Sequence, residues 1–389
     1  MAVESLGERI QTVRKRRGLT QKELASLSGV SISLLRKLEQ NERGDTRVET
    51  LRKLAVALRV PTSELIVREG HEKSKVDVMG RWTSVHNALL GRHASTSEEL
   101  PTTTGLGAAV EAAEPLFTEN RYSELGAVLP ALLRDADALG VEGRHVRTRA
   151  LHLAGLLLVQ VRQFEAADMA LNRALDDAPE RLDAAAAINT RCWLLVRQGQ
   201  IQQSLDLASR WADEIEPRFS RATMAELATW GGLMLRVSTA AVRNNQPGDA
   251  EDALKLAAAA SAGLGREFAP PSDFVRTFGP IKVAMRRAEN AMVEDRPDRV
   301  LTLAQQIPAS EFRSKASSVH RHRLDVAKAH TRLRQYGDAF DVLSDIRRNA
   351  PEWIENQRGA HDVLGTIISR RRTLTPEMRS LADSIHLEY

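Results

Sequence analysis

Between Leu19 and Leu65 the chain reads LTQKELASLSGVSISLLRKLEQNERGDTRVETLRKLAVALRVPTSEL, and no other stretch restricts the fold as much. Thr20-Gln-Lys-Glu23 has the form of a capping box, which starts a helix. Leu24 and Leu27 then give that helix an apolar stripe expected to be buried. Gly29 breaks it, because a tight turn favours a residue that tolerates positive φ. Ser31 can cap the next helix, with Leu34, Leu35 and Leu38 expected to face inward. Arg47 to Leu58 repeats the helical period through Val48, Leu51, Leu54, Ala55 and Leu58, and a first helix over Leu6 to Arg17 ends at Gly18. Short helices meeting at a glycine in this order predict a compact helical module.

The same residues resemble the Xre or phage-repressor family of DNA-binding domains. The likeness runs over residues 6–66. Arg14, Leu19-Thr20-Gln21, Leu24-Ala25, Gly29-Val30-Ser31, Leu35, Leu38-Glu39 and Leu51 to Leu58 carry it, and Pro61 with a short Glu64-Leu65-Ile66 helix closes it. It implies a five-helix helix-turn-helix domain over residues 1–67 that docks on double-stranded DNA. In such a docking the first residues of the second helix reach base edges in the major groove. Here these are Ser31, Ile32 and Ser33, with Arg36 and Lys37 about a turn further on. A Lys or Arg suits a guanine edge, and Ile32 suits a thymine methyl. The resemblance also implies that Gln21 anchors a phosphate and that Asn41, Arg43 and Arg47 clamp the backbone. It assigns Arg14 and Glu39 to an internal ion pair, a folding role.

Charge is placed unevenly. Residues 1–75 hold 16 Lys/Arg against 10 Asp/Glu, whereas residues 76–389 hold 39 against 41. The basic end fits a polyanion, and the larger, near-neutral part fits another task. At 389 residues two or more domains are expected. Cys192 is the single cysteine, so no intrachain disulfide can form and a reducing cytoplasm is the expected home. The MAVESLGERIQ start lacks an apolar signal-type run, and no segment approaches the ~20 apolar residues of a membrane span.

Residues 68–103 read as a linker. Arg68 to Lys75 is polar, and the stretch from Ala94 to Gly105 is rich in Ser and Thr. Between them Val78 to Leu90, with Met79, Trp82, Val85, His86 and Leu89, predicts one amphipathic helix that packs on either domain or on a partner subunit. From Gly107 onward the pattern predicts twelve or thirteen helices and no strand. They come in pairs. Gly155 sits where a first helix needs close approach, and Phe164, Ala167, Leu171, Ala174 and Pro179 follow at offsets that suit a second. The order returns at Ala327, Tyr336, Ala339, Leu343, Ile346 and Pro351. Weaker copies run through Ile201, Ser204, Ala208 and Trp211, and through Ala250, Ala253, Ala257 and Ala260. This is similar to the tetratricopeptide repeat, whose period is about 34 residues. The expected fold class is therefore all-α: a helix-turn-helix domain followed by a tetratricopeptide-like α-solenoid over 104–389, or else an irregular helical bundle without a groove. The joint plan resembles actinobacterial-type regulators with an Xre domain and degenerate repeats. Phe278-Gly-Pro280, Asp298-Arg299, Leu301 and Ala304 carry that likeness, with Ile281-Lys282 where relatives often have Thr-Asn. More distantly the plan is similar to the RRNPP peptide-pheromone receptors of quorum sensing.

A solenoid leaves a concave wall made by the first helix of each pair. Registering the landmarks places His152, Asn189, Trp193, Arg197, Lys282 and Arg321 near it, joined by Trp230 and Arg236 from the expected helix over 221–245. Asn and Arg suit a peptide backbone or a carboxylate, and Trp suits an apolar ligand body; each also suits a solvated face or a core. No catalytic constellation or cofactor motif emerges. Cys192 reads as a small core residue, the histidines lack zinc spacing, and neither Gly105-Leu-Gly107 nor Gly263-Leu-Gly265 leads into a phosphate loop. The expectation is not an enzyme but a homodimeric regulator of transcription. It would bind an inverted-repeat operator and answer to a peptide or small-molecule effector, with no membrane partner and no metal. The alternative is a repeat scaffold that holds a protein partner and is localised by its DNA-binding end.

Overall fold

The computed structural model describes residues 5–42, 46, 48–60, 62, 65, 77–92, 100–308, 310, 316–371 and 373–387. The described residues form helices and one isolated bridge, Phe268 to Phe278, with no strand. No described helix is long and apolar enough to cross a membrane.

The N-terminal domain is built from α1 (Leu6–Arg16), α2 (Gln21–Ser28), α3 (Ile32–Glu39) and α4 (Val48–Leu58). The expected capping box is present: Glu23 N–H donates to Thr20 Oγ1 at 3.2 Å and Thr20 N–H to Glu23 Oε2 at 2.7 Å. Gly29 ends α2 at φ +69°, and Ser31 Oγ accepts from Leu34 N–H to open α3. Ile10, Leu24, Leu35, Leu38, Leu54, Leu58 and Leu65 fill the core. Leu27 corrects the expected stripe. It is 63% exposed, because α2 turns Leu24, Ala25 and Ser28 inward and Leu27 away from them. Of the expected fifth helix only Leu65 is described; it is buried, and Arg9 Nε donates to its carbonyl at 2.8 Å.

Helix α5 (Asp77–Leu89) packs on the C-terminal domain, where Trp82, Val85, Ala88 and Leu89 join the main hydrophobic cluster. Arg173 Nη1 holds its C-terminal end through the Leu89 carbonyl at 2.9 Å. Six helix pairs follow: α6 (Thr103–Thr118) with α7 (Tyr122–Asp137), α8 (Arg144–Gln160) with α9 (Phe164–Asp177), α10 (Arg181–Gln198) with α11 (Ile201–Glu214), α12 (Met224–Arg243) with α13 (Pro247–Leu264), α14 (Pro280–Val293) with α15 (Pro297–Gln305), and α16 (Ser317–Arg332) with α17 (Tyr336–Asn349). Short helices α18 (Pro351–Glu355), α19 (Arg358–Ser369) and α20 (Pro376–Ser384) complete the domain. The C-terminal domain thus has more helices than the expected twelve or thirteen, because periodicity does not resolve elements as short as α18 and α20.

One turn repeats in all six pairs. Asn120, Arg162, Gly199, Asn245, Asp295 and Arg334 take positive φ. The next residue donates its N–H to a carbonyl five positions back, as in Gln163 to Leu158 and Gln335 to His330, both 2.8 Å. This closes each first helix and aims the second antiparallel to it. Within the pair α8/α9, a Cβ on Gly155 would lie 2.6 Å from Leu171, so the small residue sets how closely the helices approach.

The array does not stay open. One hydrophobic cluster contains Tyr122, Leu125 and Leu158 from the first pairs together with Trp353, Leu364 and Ile385 from the last helices. Ser123 N–H donates to Glu352 Oε2 at 2.7 Å across that junction. The expected concave wall is therefore closed on itself around an interior space.

Candidate functional site

At the N-terminal end, α3 presents Ser33, Arg36 and Lys37 to solvent. Neither Arg36 nor Lys37 has an ion-pair partner among the described residues, so both are available to an anion or a base edge. Ser31 is exposed and acts as the cap of α3; Ile32 is half-buried against the core. Asn41 is exposed at φ +58°, and its Oδ1 accepts from Ser5 Oγ at 2.6 Å. Gln21 turns inward: its Nε2 donates one N–H to Glu39 Oε2 at 2.8 Å, which leaves the second N–H and the carbonyl oxygen for other partners. Arg43 and Arg47 lie outside the described residues.

Arg14 and Glu39 form a bidentate pair, Nε to Oε1 at 2.6 Å and Nη2 to Oε2 at 2.7 Å, both largely buried. Arg14 Nη1 also reaches the Leu19 carbonyl at 2.8 Å. Burial alone would raise the Glu39 carboxyl, but hydrogen bonds from Arg14 and Gln21 bring it below its ordinary value. The pair ties α3 to α1 and leaves the outer face of α3 exposed.

The interior space is a cavity of about 540 Å³. Its wall comes from α10, α12, α14 and α16, closed on one side by the segment Pro270–Phe278. Of the eight residues expected near a ligand, Asn189, Trp193, Arg197, Arg236, Lys282 and Arg321 line it. Asn189 Oδ1 accepts from Arg236 Nε at 2.6 Å. Trp193 carries a guanidinium on its ring from two helices, Arg197 at 5.6 Å and Arg321 at 5.8 Å from the centroid. Arg197 Nη2 donates to the Asn356 carbonyl at 3.1 Å while Nη1 is buried without a partner. Lys282 Nζ bonds Ser318 Oγ.

Two expected residues lie elsewhere. Trp230 is in the core between α11 and α12, its Nε1 donating to the Ala212 carbonyl at 3.1 Å and its ring meeting Phe219 edge-on. From α12 the lining residues are Ala228, Thr229, Gly232, Leu235, Arg236, Thr239 and Arg243, and Trp230 lies out of phase with them. His152 is behind the wall, bonded to Thr190 Oγ1 at 2.8 Å and covered by Phe274. Burial pushes its imidazole down to about 4, so it is neutral.

Sequence reasoning missed Arg243, Arg276, Arg286 and Glu289. Glu289 accepts from Arg243 at 2.6 Å and from Arg286, and these two, with the field of Arg321, hold its carboxyl far below the ordinary range against the effect of burial. Arg276 pairs with Asp273 and reaches Thr190 Oγ1 at 2.8 Å. A signal existed: Arg236 and Arg243, like Lys282, Arg286 and Glu289, recur at helical spacing on helices otherwise rich in Ala, Met and Val. Cys192 is fully buried, its thiol pushed up to about 12 by desolvation. No group of His, Cys, Asp or Glu with metal-holding geometry exists among the described residues.

Residues 10–65 match the helix-turn-helix family model, and the N-terminal domain is a helix-turn-helix domain of the Xre type. Over 69 residues, 18% of this chain and 51% of the relative, the sequence is 38% identical to the HTH-type transcriptional repressor RghR of Bacillus subtilis (strain 168). Over 65 residues it is 37% identical to the uncharacterized HTH-type transcriptional regulator RghRB of the same organism, covering 17% of this chain and 47% of that one. The chain spans about half the length of these curated relatives. Among solved structures, PlcR of Bacillus thuringiensis in complex with the peptide PapR7 and DNA aligns over 87% of this chain and 99% of its own, at 12% identity and TM-score 0.32. The apo form of ComR from S. thermophilus aligns over 82% and 98%, at 11% identity and TM-score 0.30.

Proposed function

We propose that the chain is a transcription regulator that binds an inverted-repeat operator as a homodimer. An effector, a peptide or small molecule held in the interior cavity, changes its grip on DNA. Residues 1–67 read DNA, residues 104–389 sense and dimerise, and residues 68–103 connect them. The observation that carries this reading is the position of α6. Its C-terminal end, Phe117 and Thr118, lines the cavity, and the same helix packs against α4 of the DNA-binding domain. Arg134 Nη2 on the neighbouring α7 adds a bond to the Thr46 carbonyl at 3.0 Å. A ligand that moves the end of α6 therefore moves the seat of the DNA reader. For this to regulate, the effector must favour one arrangement over another, since equal affinity for both shifts nothing.

The test selects an operator from random duplexes with the full chain, then titrates it by fluorescence anisotropy with and without extract of the source culture. An extract that shifts wild-type affinity, and fails to shift the Asn189→Ala/Arg197→Ala double variant, is the expected result. An identical shift in both proteins removes the cavity from the mechanism.

A further inference from the structure

We infer that the cavity is built for an amphipathic organic anion whose oxyanion head sits against Arg236 and Arg321 and whose apolar body lies along Trp193, Leu235 and Phe274. This rests on reading the cavity as an effector site. The first support is an inventory of charge. Among the described residues three of the four wall carboxylates are committed to cations: Glu289 to Arg243 and Arg286, Asp273 to Arg276, and Asp325 to Lys328 at 2.8 Å; the fourth, Glu267, accepts from the Ile281 N–H at 2.8 Å through Oε1, and its Oε2 is buried without a partner. Arg197, Arg236 and Arg321 have no carboxylate partner among the described residues. Arg321 adds to the field of Arg286 and Arg243 on Glu289, but one carboxylate set against three cations leaves the wall with an excess of positive charge. Buried ions are ordinarily paired, so guanidiniums gathered around one cavity favour a ligand that brings negative charge.

The second support is pre-organisation. Asn189 takes the Nε of Arg236, which fixes the guanidinium plane and leaves both terminal nitrogens for another acceptor. A planar fork held this way matches an oxyanion with two parallel bonds. Burial and the neighbouring Arg276, Arg286 and Arg321 disfavour the Arg236 charge, and a bound anion would offset them together. The third support is the lining between the cations. Trp193, Leu235, Phe274 and Met285 form an apolar bed beside them, and sites for small ligands combine an apolar lining with few polar groups in roughly 300–1,000 Å³.

The experiment uses the full chain and two fluorescent probes of one skeleton, 1-anilinonaphthalene-8-sulfonate and N-phenyl-1-naphthylamine, which lacks the sulfonate. The sulfonate should bind at one site and be displaced by decanoate but not by decanamide. Arg236→Gln and Arg321→Gln should each weaken it roughly tenfold or more while the neutral probe changes less than twofold. Arg321→Lys, which keeps the charge, should retain most of the affinity. Circular dichroism checks that the variants fold, and the two Arg321 variants carry the test alone if Arg236→Gln does not. Equal affinity for both probes, equal displacement by acid and amide, or unchanged sulfonate binding in the Gln variants overturns the assignment. No DNA enters these readouts. Decanoate binding without any change in operator affinity would sink the regulatory reading and leave the anion site standing; an operator response confined to neutral compounds would do the reverse.

Discussion

Arg197 offers a test of the uncompensated charge that needs no ligand. Burial first, then repulsion from Arg321 and Arg162, pushes its guanidinium down from the ordinary arginine value to about 9, against a smaller opposing effect of Tyr122. A base whose folded value lies below its unfolded one binds its proton more weakly in the fold. Its stability deficit therefore builds as pH falls from the ordinary arginine value to about 9 and is complete at neutral pH. At 1.36 kcal/mol per unit the deficit has an upper bound of about 5 kcal/mol. Two favourable contacts would vanish with the side chain: the bond to the Asn356 carbonyl, roughly 1.5–3 kcal/mol for a charged donor, and the contact with Trp193, about 0.5–2 kcal/mol. Arg197→Met keeps comparable length without the charge. It should stabilise the C-terminal domain by up to about 3 kcal/mol, while removing one cation from the proposed site.

Urea unfolding of the full chain at pH 7.5, followed by tryptophan fluorescence, measures this. The C-terminal transition should move to higher urea with its slope unchanged. A variant less stable than wild type by 1 kcal/mol or more would show that Arg197 is compensated, and the argument from unpaired charge would fail with it.

Lys37→Ala should weaken the selected operator by about 1–3 kcal/mol and relax preference at one base pair per half-site, read by anisotropy against single-base variants. Glu39→Gln leaves Arg14 buried without its anion and should destabilise the N-terminal domain by about 3–5 kcal/mol in thermal unfolding. His152 should make the protein acid-sensitive: with its folded value at about 4 against 6.5, stability falls as pH drops through that window. His152→Gln should flatten the wild-type decline there, and parallel curves for the two proteins would contradict the assignment. Light scattering of the full chain should give the mass of a dimer at tens of micromolar; a monomer would remove the isologous pairing proposed for the operator.

Helix starts were legible because they are local. Thr20 and Glu23 lie three residues apart, and the capping box they predict is present. Faces were less legible. Leu27 reads as core because it is apolar one turn from Leu24, yet α2 seats on Leu24, Ala25 and Ser28. Trp230 fails for the same reason on α12, where the lining stripe runs through Thr229, Gly232 and Arg236. A rotation of 100° per residue separates a pocket wall from a core, and composition does not set that phase. On α10 the phase came out in register because Asn189, Trp193 and Arg197 repeat at a spacing of four.

The repeats were half-visible for a different cause. Their shared device is a backbone conformation, positive φ before each second helix, and the residues that adopt it are two Asn, one Gly, one Asp and two Arg. Asn, Gly and Asp favour that region; Arg does not, so Arg162 and Arg334 carry no local signal. The closing of the array was not legible at all. Ser123 and Glu352 meet across 229 residues, and Trp353 enters the same cluster as Tyr122. Such contacts are made by the accumulated rotation of six pairs rather than by any pair alone. That rotation is also what brings Arg197, Arg236 and Arg321 from three separate helices around one space. Each arginine taken singly reads as a solvated surface charge. Only the array gathers them into a cluster of like charge with no ion-paired carboxylate of their own among the described residues, and a cluster of that kind is where a ligand would have most to contribute.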